Sequence, residues 1–166
     1  MTTSKRPSPT PASLDEYRGL LDAGAEAISF GARAAGFLGD ACGVAPYQSS
    51  LRLEVVRYLA SDIELRLDAL ARSIGEDACA VDLLVEATLL CADLATLAAC
   101  NTGELRPGAG TTVVHLASGA ARALRILVEA GSKDLGEEHA EYSLRDVRGA
   151  GWRVDLAVRQ LDEAPG

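Results

Sequence analysis

With 166 residues, the chain is long enough for one hydrophobic core and short for two, so its length predicts a single domain. A formal net charge of −8 repels nucleic acid, and neither a basic amphipathic stretch nor an apolar run of about 20 residues points to a membrane partner. Hydrophobic residues make up 48% of the chain but aromatic residues only 4%. The apolar residues are therefore mainly Ala, Leu and Val, which favour closely packed helices over sheets.

The first thirteen residues, MTTSKRPSPTPAS, contain no apolar stretch and are rich in Ser, Thr and Pro, as disordered tails are. They do not resemble a signal peptide, and we expect a cytoplasmic protein. Ser13 and Glu16 have the spacing of a helix-capping box and predict that the first helix begins at residue 14. The sequence therefore predicts a disordered tail over 1–13 and a single helical-bundle domain over 14–163.

The first predicted helix carries two rows of apolar or small residues. One row repeats every seven residues, as the seam of a bundle helix does: Leu14, Leu21, Ile28, Ala35 and Cys42. A second row follows steps of four: Gly19, Ala23, Ala27, Gly31, Ala35 and Gly39. Glycine in a helix costs about 1 kcal/mol relative to alanine, so the second row indicates close approach to another helix. That helix belongs either to the same chain or to a second subunit, and we expect a homodimer.

The next two helices differ in how much of their surface is apolar. The second begins near Ser49 or Ser50 and has one apolar face, formed by Leu53, Val56, Leu59, Ile63, Leu67, Leu70 and Ile74. The third, from about Asp77 to Cys100, is apolar on nearly all sides and is predicted to be the most buried helix. Its ionisable residues Asp82, Glu86 and Asp93 lie within about 40° on the helical wheel and form a narrow acidic stripe.

The connection NTGELRPGAG precedes a fourth helix that is predicted to start at Thr111 or Thr112, where a threonine side chain would cap it. Its polar residues, among them His115 and Arg122, keep to one side of the helix. A fifth helix follows Gly131. No segment alternates as a strand does, so the predicted fold is an all-α, mostly antiparallel bundle of about five helices.

The acidic stripe and the polar side of the fourth helix are predicted to lie on neighbouring antiparallel helices. Two interpretations stay open for them. Both surfaces are solvated, or they face each other or a partner subunit and form a polar groove. In a groove the three carboxylates could act as general acids or bases.

The segment LRPGAGTTVVHLASGAARAL at 105–124 contains a glycine loop followed by a helix. It is not a nucleotide-phosphate loop, since that motif needs Gly-Lys-Ser/Thr after a strand. The free N–H groups and the dipole at the start of a helix nevertheless favour an anion. A structural helix cap and a small-anion site both fit this segment. The candidate ligand-binding residues are Arg106, Gly110, Thr111, Thr112, His115 and Arg122.

No complete catalytic constellation is evident, and whether the protein is an enzyme stays open. A carboxylate di-metal site needs Glu three residues before His, whereas His115 and His139 follow Thr and Gly at that spacing, so no metal site is predicted. Cys100 could be activated by His115 only if the fold brought the two side chains together. The four cysteines lack C-x-x-C spacing and are interpreted as buried, reduced thiols rather than as a disulfide or zinc framework.

The stretch DLATLAACNTGELRPGAGTTVVHLASGAARALRILVEAGSKDL resembles the final helices of the folate-linked cyclodeaminase and methenyltetrahydrofolate cyclohydrolase family. In that family a short Ala-Gly motif, matched here by Ala109 and Gly110, starts an alanine-rich helix. The similarity covers less than half of the chain. The family's early Pro-Gly-Gly-Gly-Ser segment has no counterpart here, and its acidic loop residue falls near Gly108. The resemblance implies a cytoplasmic helical dimer with a folate-type ligand near the subunit interface.

These features lead to two functional hypotheses. The first is a soluble helical-bundle protein without a cofactor that acts by homo-oligomerisation and by binding a protein or a small anion. The second is an enzyme, related to the cyclodeaminases and cyclohydrolases, that acts on a folate-type one-carbon substrate.

Overall fold

A computed structural model of the protein describes residues 11–43, 50–76 and 80–163, with side chains described from residue 15 onward. These residues form five α-helices and one 3₁₀ turn, without a strand in the described ranges, which confirms the predicted all-α bundle. The helices are α1 (Pro11–Cys42), α2 (Leu51–Ser73), α3 (Ala80–Ala99), α4 (Ala109–Gly131) and α5 (Glu137–Glu163), and the 3₁₀ turn at Ser132–Asp134 joins α4 to α5.

The five helices pack around α3 and α4. Helix α1 lies against α2 and α4, while α3 lies against α4 and α5, and α4 also contacts α5. Thirteen of the 20 residues of α3 are buried, which confirms that this helix is the most buried of the five. The largest fully buried side chains come from all five helices and include Ile28, Leu67, Leu84, Leu124 and Val147.

Helix α1 begins earlier than the capping-box pattern predicted. It starts at Pro11, two residues before Ser13, so the predicted start at residue 14 is wrong. Proline is favoured in the first turn of a helix because the N–H that it lacks has no partner there. The side chain of Ser13 and the whole of residues 1–10 lie outside the described residues.

The row of small residues on α1 divides into two halves with different surroundings. Gly31 and Ala35 are buried against other helices of the same chain, whereas Gly19 and Ala23 are exposed. The C-terminal half of the row is therefore an intramolecular contact. Its N-terminal half belongs to an exposed surface.

Helix α2 begins and packs largely as its sequence predicted. Ser50 is the N-cap, and its Oγ accepts a hydrogen bond from the Leu53 amide at 3.1 Å. The predicted core position Leu59 is wrong, because its side chain is 41% exposed and Ala60 is fully buried instead. The remaining predicted core positions of α2 are buried.

Candidate functional site

The segment that was predicted to bind an anion forms the start of α4. The helix begins at Ala109, and its N-cap is Gly108, whose φ of 84° is in the left-handed region that glycine adopts without steric cost. The predicted threonine cap is therefore wrong. Thr111 and Thr112 lie inside the first turn, and Thr112 Oγ1 donates a hydrogen bond to the Gly108 carbonyl oxygen at 2.7 Å.

A groove of about 560 Å³ lies beside this helix start. Its lining comes from α1 and from the α4 approach: Phe37, Arg106, Pro107, Gly108, Ala109 and Thr112. The Arg106 side chain is exposed and forms neither an ion pair nor a hydrogen bond with any described residue. A guanidinium without a partner, in a groove that an aromatic residue also lines, suits a small anion because it offers charge and hydrogen bonds.

Three of the other candidate residues do not line this groove. Gly110 is buried, and a Cβ on it would lie 2.7 Å from Thr102 Cγ2. A glycine is needed at this position because the preceding turn packs too closely against it for a side chain. Thr111 and His115 are exposed. His115 makes no hydrogen bond or ion pair within the part of the chain that the structure describes.

Arg122 lies well away from the start of α4. It lies seven positions after His115, which corresponds to about 10 Å along the helix axis. Its guanidinium pairs with Asp155 of α5 at 3.5 Å. The structure therefore brings Arg106 and Thr112 together and separates Arg122 from both of them.

The acidic stripe of α3 is exposed and pairs with two neighbouring helices. The pairs are Asp82 with His139 Nε2 at 2.5 Å, Glu86 with Arg66 at 3.6 Å, and Asp93 with Arg153. They connect α3 to α5 and to α2, whereas the polar side of α4 is joined to α5 by Arg122. Each pair is about half exposed, so each contributes only about 0–1 kcal/mol to stability.

The cysteines differ in their surroundings. Cys91 is fully buried, and this burial raises the pKa of its thiol to about 12. Cys42 is half-buried, and burial raises the pKa of its thiol although the charge of Arg57 lowers it in part. The prediction of a buried thiol holds for Cys91 but is wrong for Cys100, which is exposed. Cys79 lies outside the described residues.

Helix α1 carries an exposed surface that was not predicted from the sequence. It is named the α1 face and is formed by Ala23, Glu26, Phe30, Arg33 and Phe37. The two phenyl rings are each 39% exposed. A groove of about 880 Å³ beside this face is lined by α1, by α4 and by Asp68 of α2. The spacing of Ala23, Phe30 and Phe37 by seven residues is the sequence signal that identifies the face.

The α1 face carries two charged groups of opposite sign. Glu26 and Arg33 lie on the same edge of the helix, one on each side of Phe30 in the sequence. Neither forms an ion pair within the described ranges, and the Arg33 guanidinium lies 5.8 Å from the centroid of the Phe30 ring. The face therefore combines apolar contact area with unneutralised charge.

Comparison of the sequence with protein-family models and with curated proteins finds no match. Among the described residues, no group of three or more His, Cys, Asp or Glu side chains is placed to hold a metal ion. None of the described helices is long and apolar enough to cross a membrane. The exposed surfaces and grooves of this chain are therefore the features that bear on its function.

Proposed function

We propose that this protein is a soluble, cytoplasmic interaction protein that acts as a homodimer, and that two copies meet through the α1 face. The observation that carries the proposal is the arrangement of the α1 face around Phe30. A two-fold interface uses the same surface on both subunits, so its residues must complement themselves after rotation. The α1 face meets this requirement in shape and in charge.

The shape requirement is met when two α1 helices cross antiparallel at Phe30. In that pairing, Ala23 lies opposite Phe37 of the partner subunit, because the two positions are equally far from Phe30. A small residue opposite a large ring leaves space for the ring, which is how helices pack closely. The Phe30 rings of both subunits meet on the two-fold axis.

The charge requirement is met on the edge of the same helix. A two-fold axis between antiparallel helices places equivalent edges against each other, so Glu26 lies next to Arg33 of the partner subunit. Two symmetry-related ion pairs result. Both would be more shielded from solvent than the separate charges are, which strengthens their attraction.

Helix α4 extends this surface beyond α1. Gly119 and Ala123 line the groove beside the α1 face, and Ile126 on the same side of α4 is 65% exposed. A stable protein interface buries about 800 Å² on each subunit, which is more than one helix face supplies. We therefore include the exposed side of α4 in the proposed interface.

Size-exclusion chromatography with light scattering tests the proposal. The wild-type protein should have the mass of a dimer at micromolar concentration, and Phe30→Glu should have the mass of a monomer. Tyr17→Glu is the matched control, because Tyr17 is an exposed aromatic residue on another side of α1. A wild-type protein that stays monomeric throughout the micromolar range would contradict the proposal.

We further propose that the groove at the start of α4 binds a small anion, with a folate-type molecule as the leading candidate. The unpaired Arg106, which lines this groove together with Phe37, supports this second function. Phe37 also belongs to the α1 face, so the groove would open at the edge of the dimer interface. An enzyme acting on a folate-type one-carbon substrate would use the same groove.

A further inference from the structure

Arg52, in the first turn of α2, binds the connection between α3 and α4, which comprises residues 100–108. Its Nε donates a hydrogen bond to Asn101 Oδ1 at 2.8 Å, and its Nη2 donates one to the Cys100 carbonyl oxygen at 2.9 Å. Its Nη1 lies 3.3 Å from Glu104 Oε1. One guanidinium therefore reaches both the beginning and the middle of the connection.

These contacts fix the connection relative to α2, because a guanidinium is planar and its N–H groups point in fixed directions. Ser50, the N-cap of α2, adds a hydrogen bond from its Oγ to Glu104 Oε2 at 3.4 Å. Apart from Ser50 and Arg52, no described side chain from outside the connection forms a hydrogen bond or an ion pair with residues 100–106. The first turn of α2 is therefore the polar support of this segment.

The supported segment leads directly to Arg106, which lines the groove at the start of α4. Glu104, which Arg52 contacts, lies two positions before Arg106, and Leu105 between them is buried. After Arg106, its carbonyl oxygen accepts a hydrogen bond from the Ala109 amide at 3.0 Å. The backbone of Arg106 is thus held on both sides, while its guanidinium has no partner among the described residues.

Ordering of a binding segment before the ligand arrives affects affinity. A loop that becomes ordered only on binding loses conformational freedom at that moment, and this loss weakens the complex. A segment that is already held in place avoids most of that loss. Arg52 does not line the groove, so its effect on a ligand would be transmitted through the backbone of the connection.

We propose that Arg52 is a positioning residue for the groove at the start of α4, because it orders the connection that carries Arg106. The inference rests on the proposed small-anion function of that groove. It extends that function to α2, a helix that contributes no residue to the lining of the groove. It does not depend on the proposed dimer.

Hydrogen exchange tests the ordering without any ligand. The amides of Asn101 and Glu104 donate hydrogen bonds at this connection, to the carbonyl oxygens of Ala98 and Asn101. In Arg52→Ala both amides should exchange about tenfold faster than in the wild type, because the segment opens locally more often. Amides in the middle of α3 and α4 should keep their wild-type exchange rates.

Isothermal titration with folic acid tests the effect on the groove. Arg52→Ala should raise the dissociation constant about threefold to tenfold, the range expected when one side chain and its segment must be ordered on binding. Arg52→Lys keeps the charge near Glu104 but offers one ammonium group in place of the planar fork. It should therefore restore the exchange rates and the affinity only in part.

Arg66→Ala is the matched control. Arg66 is also an arginine of α2, its side chain is 52% exposed against 58% for Arg52, and it pairs with Glu86 of α3 at 3.6 Å. It removes the same charge from the same helix without touching the connection. Arg66→Ala should change neither the exchange of Asn101 and Glu104 nor the affinity for folic acid.

Four results would overturn the proposal. The exchange of Asn101 and Glu104 could be unchanged in Arg52→Ala, or it could increase without any loss of affinity. Arg66→Ala could reproduce both effects, which would indicate a general loss of stability. Arg52→Lys could restore full affinity while exchange stays fast, which would assign the effect to charge alone.

Failure of the proposed anion site gives a different pattern. A wild-type protein that does not bind folic acid would contradict the small-anion function and, with it, the positioning role of Arg52. Faster exchange in Arg52→Ala would then still show that Arg52 orders the connection. The exchange and titration measurements therefore separate the two failures.

Discussion

Gly31 of α1 lies directly against Cys91 of α3, and a Cβ on Gly31 would stand 2.7 Å from Cys91 Sγ. This distance is shorter than any ordinary contact between carbon and sulfur. Leu67 Cδ1 and Ala120 Cβ surround the same position at 3.4 and 3.8 Å, so the glycine is enclosed by three other helices. The absence of a side chain at residue 31 is what allows α1 to approach α3 this closely.

Gly31→Ala should therefore destabilise the protein. Overpacking a core position costs about 1–3 kcal/mol, which exceeds the gain of at most about 1 kcal/mol from the better helix propensity of alanine. Urea unfolding should show a lower free energy of unfolding by about 1 kcal/mol. Gly19→Ala is the control, because nothing lies within 4 Å of a Cβ there, and it should stabilise the protein by about 0.5–1 kcal/mol.

A double variant separates this steric explanation from a general sensitivity of α1. Removing the sulfur atom in Cys91→Ala gives the new methyl group space, so Gly31→Ala should cost less in the Cys91→Ala background than in the wild type. Equal costs in the two backgrounds would show that the contact with Cys91 does not explain the effect.

The Cys91 thiol should be protected from alkylation. Its raised pKa should also make the free energy of unfolding depend on pH in the alkaline range. A pKa of about 12 keeps it protonated at neutral pH, and the thiolate is the reactive form. Iodoacetamide labelling followed by peptide mass spectrometry should modify Cys100 readily and Cys91 only after unfolding. Labelling of native Cys91 at the rate of Cys100 would contradict its burial.

The direction of the pH effect follows from which state holds the proton. Between about pH 8.5, where a thiol in the unfolded chain ionises, and about pH 12, the native state keeps the Cys91 proton and the unfolded state loses it. This contribution to stability is complete below about pH 8.5 and decreases by about 1.4 kcal/mol for each pH unit above it. Urea midpoints from pH 8 to 10 should decrease more steeply for the wild type than for Cys91→Ala.

Charge exchange on the α1 face should control dimerisation. Glu26→Arg alone would place a second guanidinium next to Arg33 of the partner subunit at both symmetry-related positions, and light scattering should show a weaker dimer. Glu26→Arg combined with Arg33→Glu restores two attractive pairs, so the double variant should dimerise about as well as the wild type. A double variant as weak as the single one would indicate that Glu26 and Arg33 do not meet across a two-fold axis.

The groove at the start of α4 should bind folic acid through Arg106. A thermal-shift titration should raise the melting temperature of the wild type, because a ligand that binds only the native state stabilises it. Arg106→Ala should lose this shift with little change in its own stability, since Arg106 is exposed. Arg122→Ala should keep the shift, because Arg122 pairs with Asp155 away from the groove. If Arg106→Ala kept the same increase in melting temperature, folic acid would not bind through Arg106 in this groove.

Local chemistry made some of these features predictable from the sequence. The Ser50 cap follows from a hydroxyl placed immediately before an apolar row, and the burial of α3 follows from apolar residues on nearly every side. The start of α4 was placed near the correct residues but with the wrong cap. Two threonines looked like capping residues, whereas the positive φ of Gly108 depends on how the chain turns before the helix.

The sequence by itself determined the five helices, their order and most of their buried faces, because helix periodicity and capping act between residues that are close along the chain. Only the tertiary structure decided which polar residues meet: Asp82 pairs with His139, and Arg122 pairs with Asp155. It also decided that the α1 face remains uncovered. These relationships depend on how helices that are far apart in sequence are placed against one another, and a row of residues along one helix does not specify that placement.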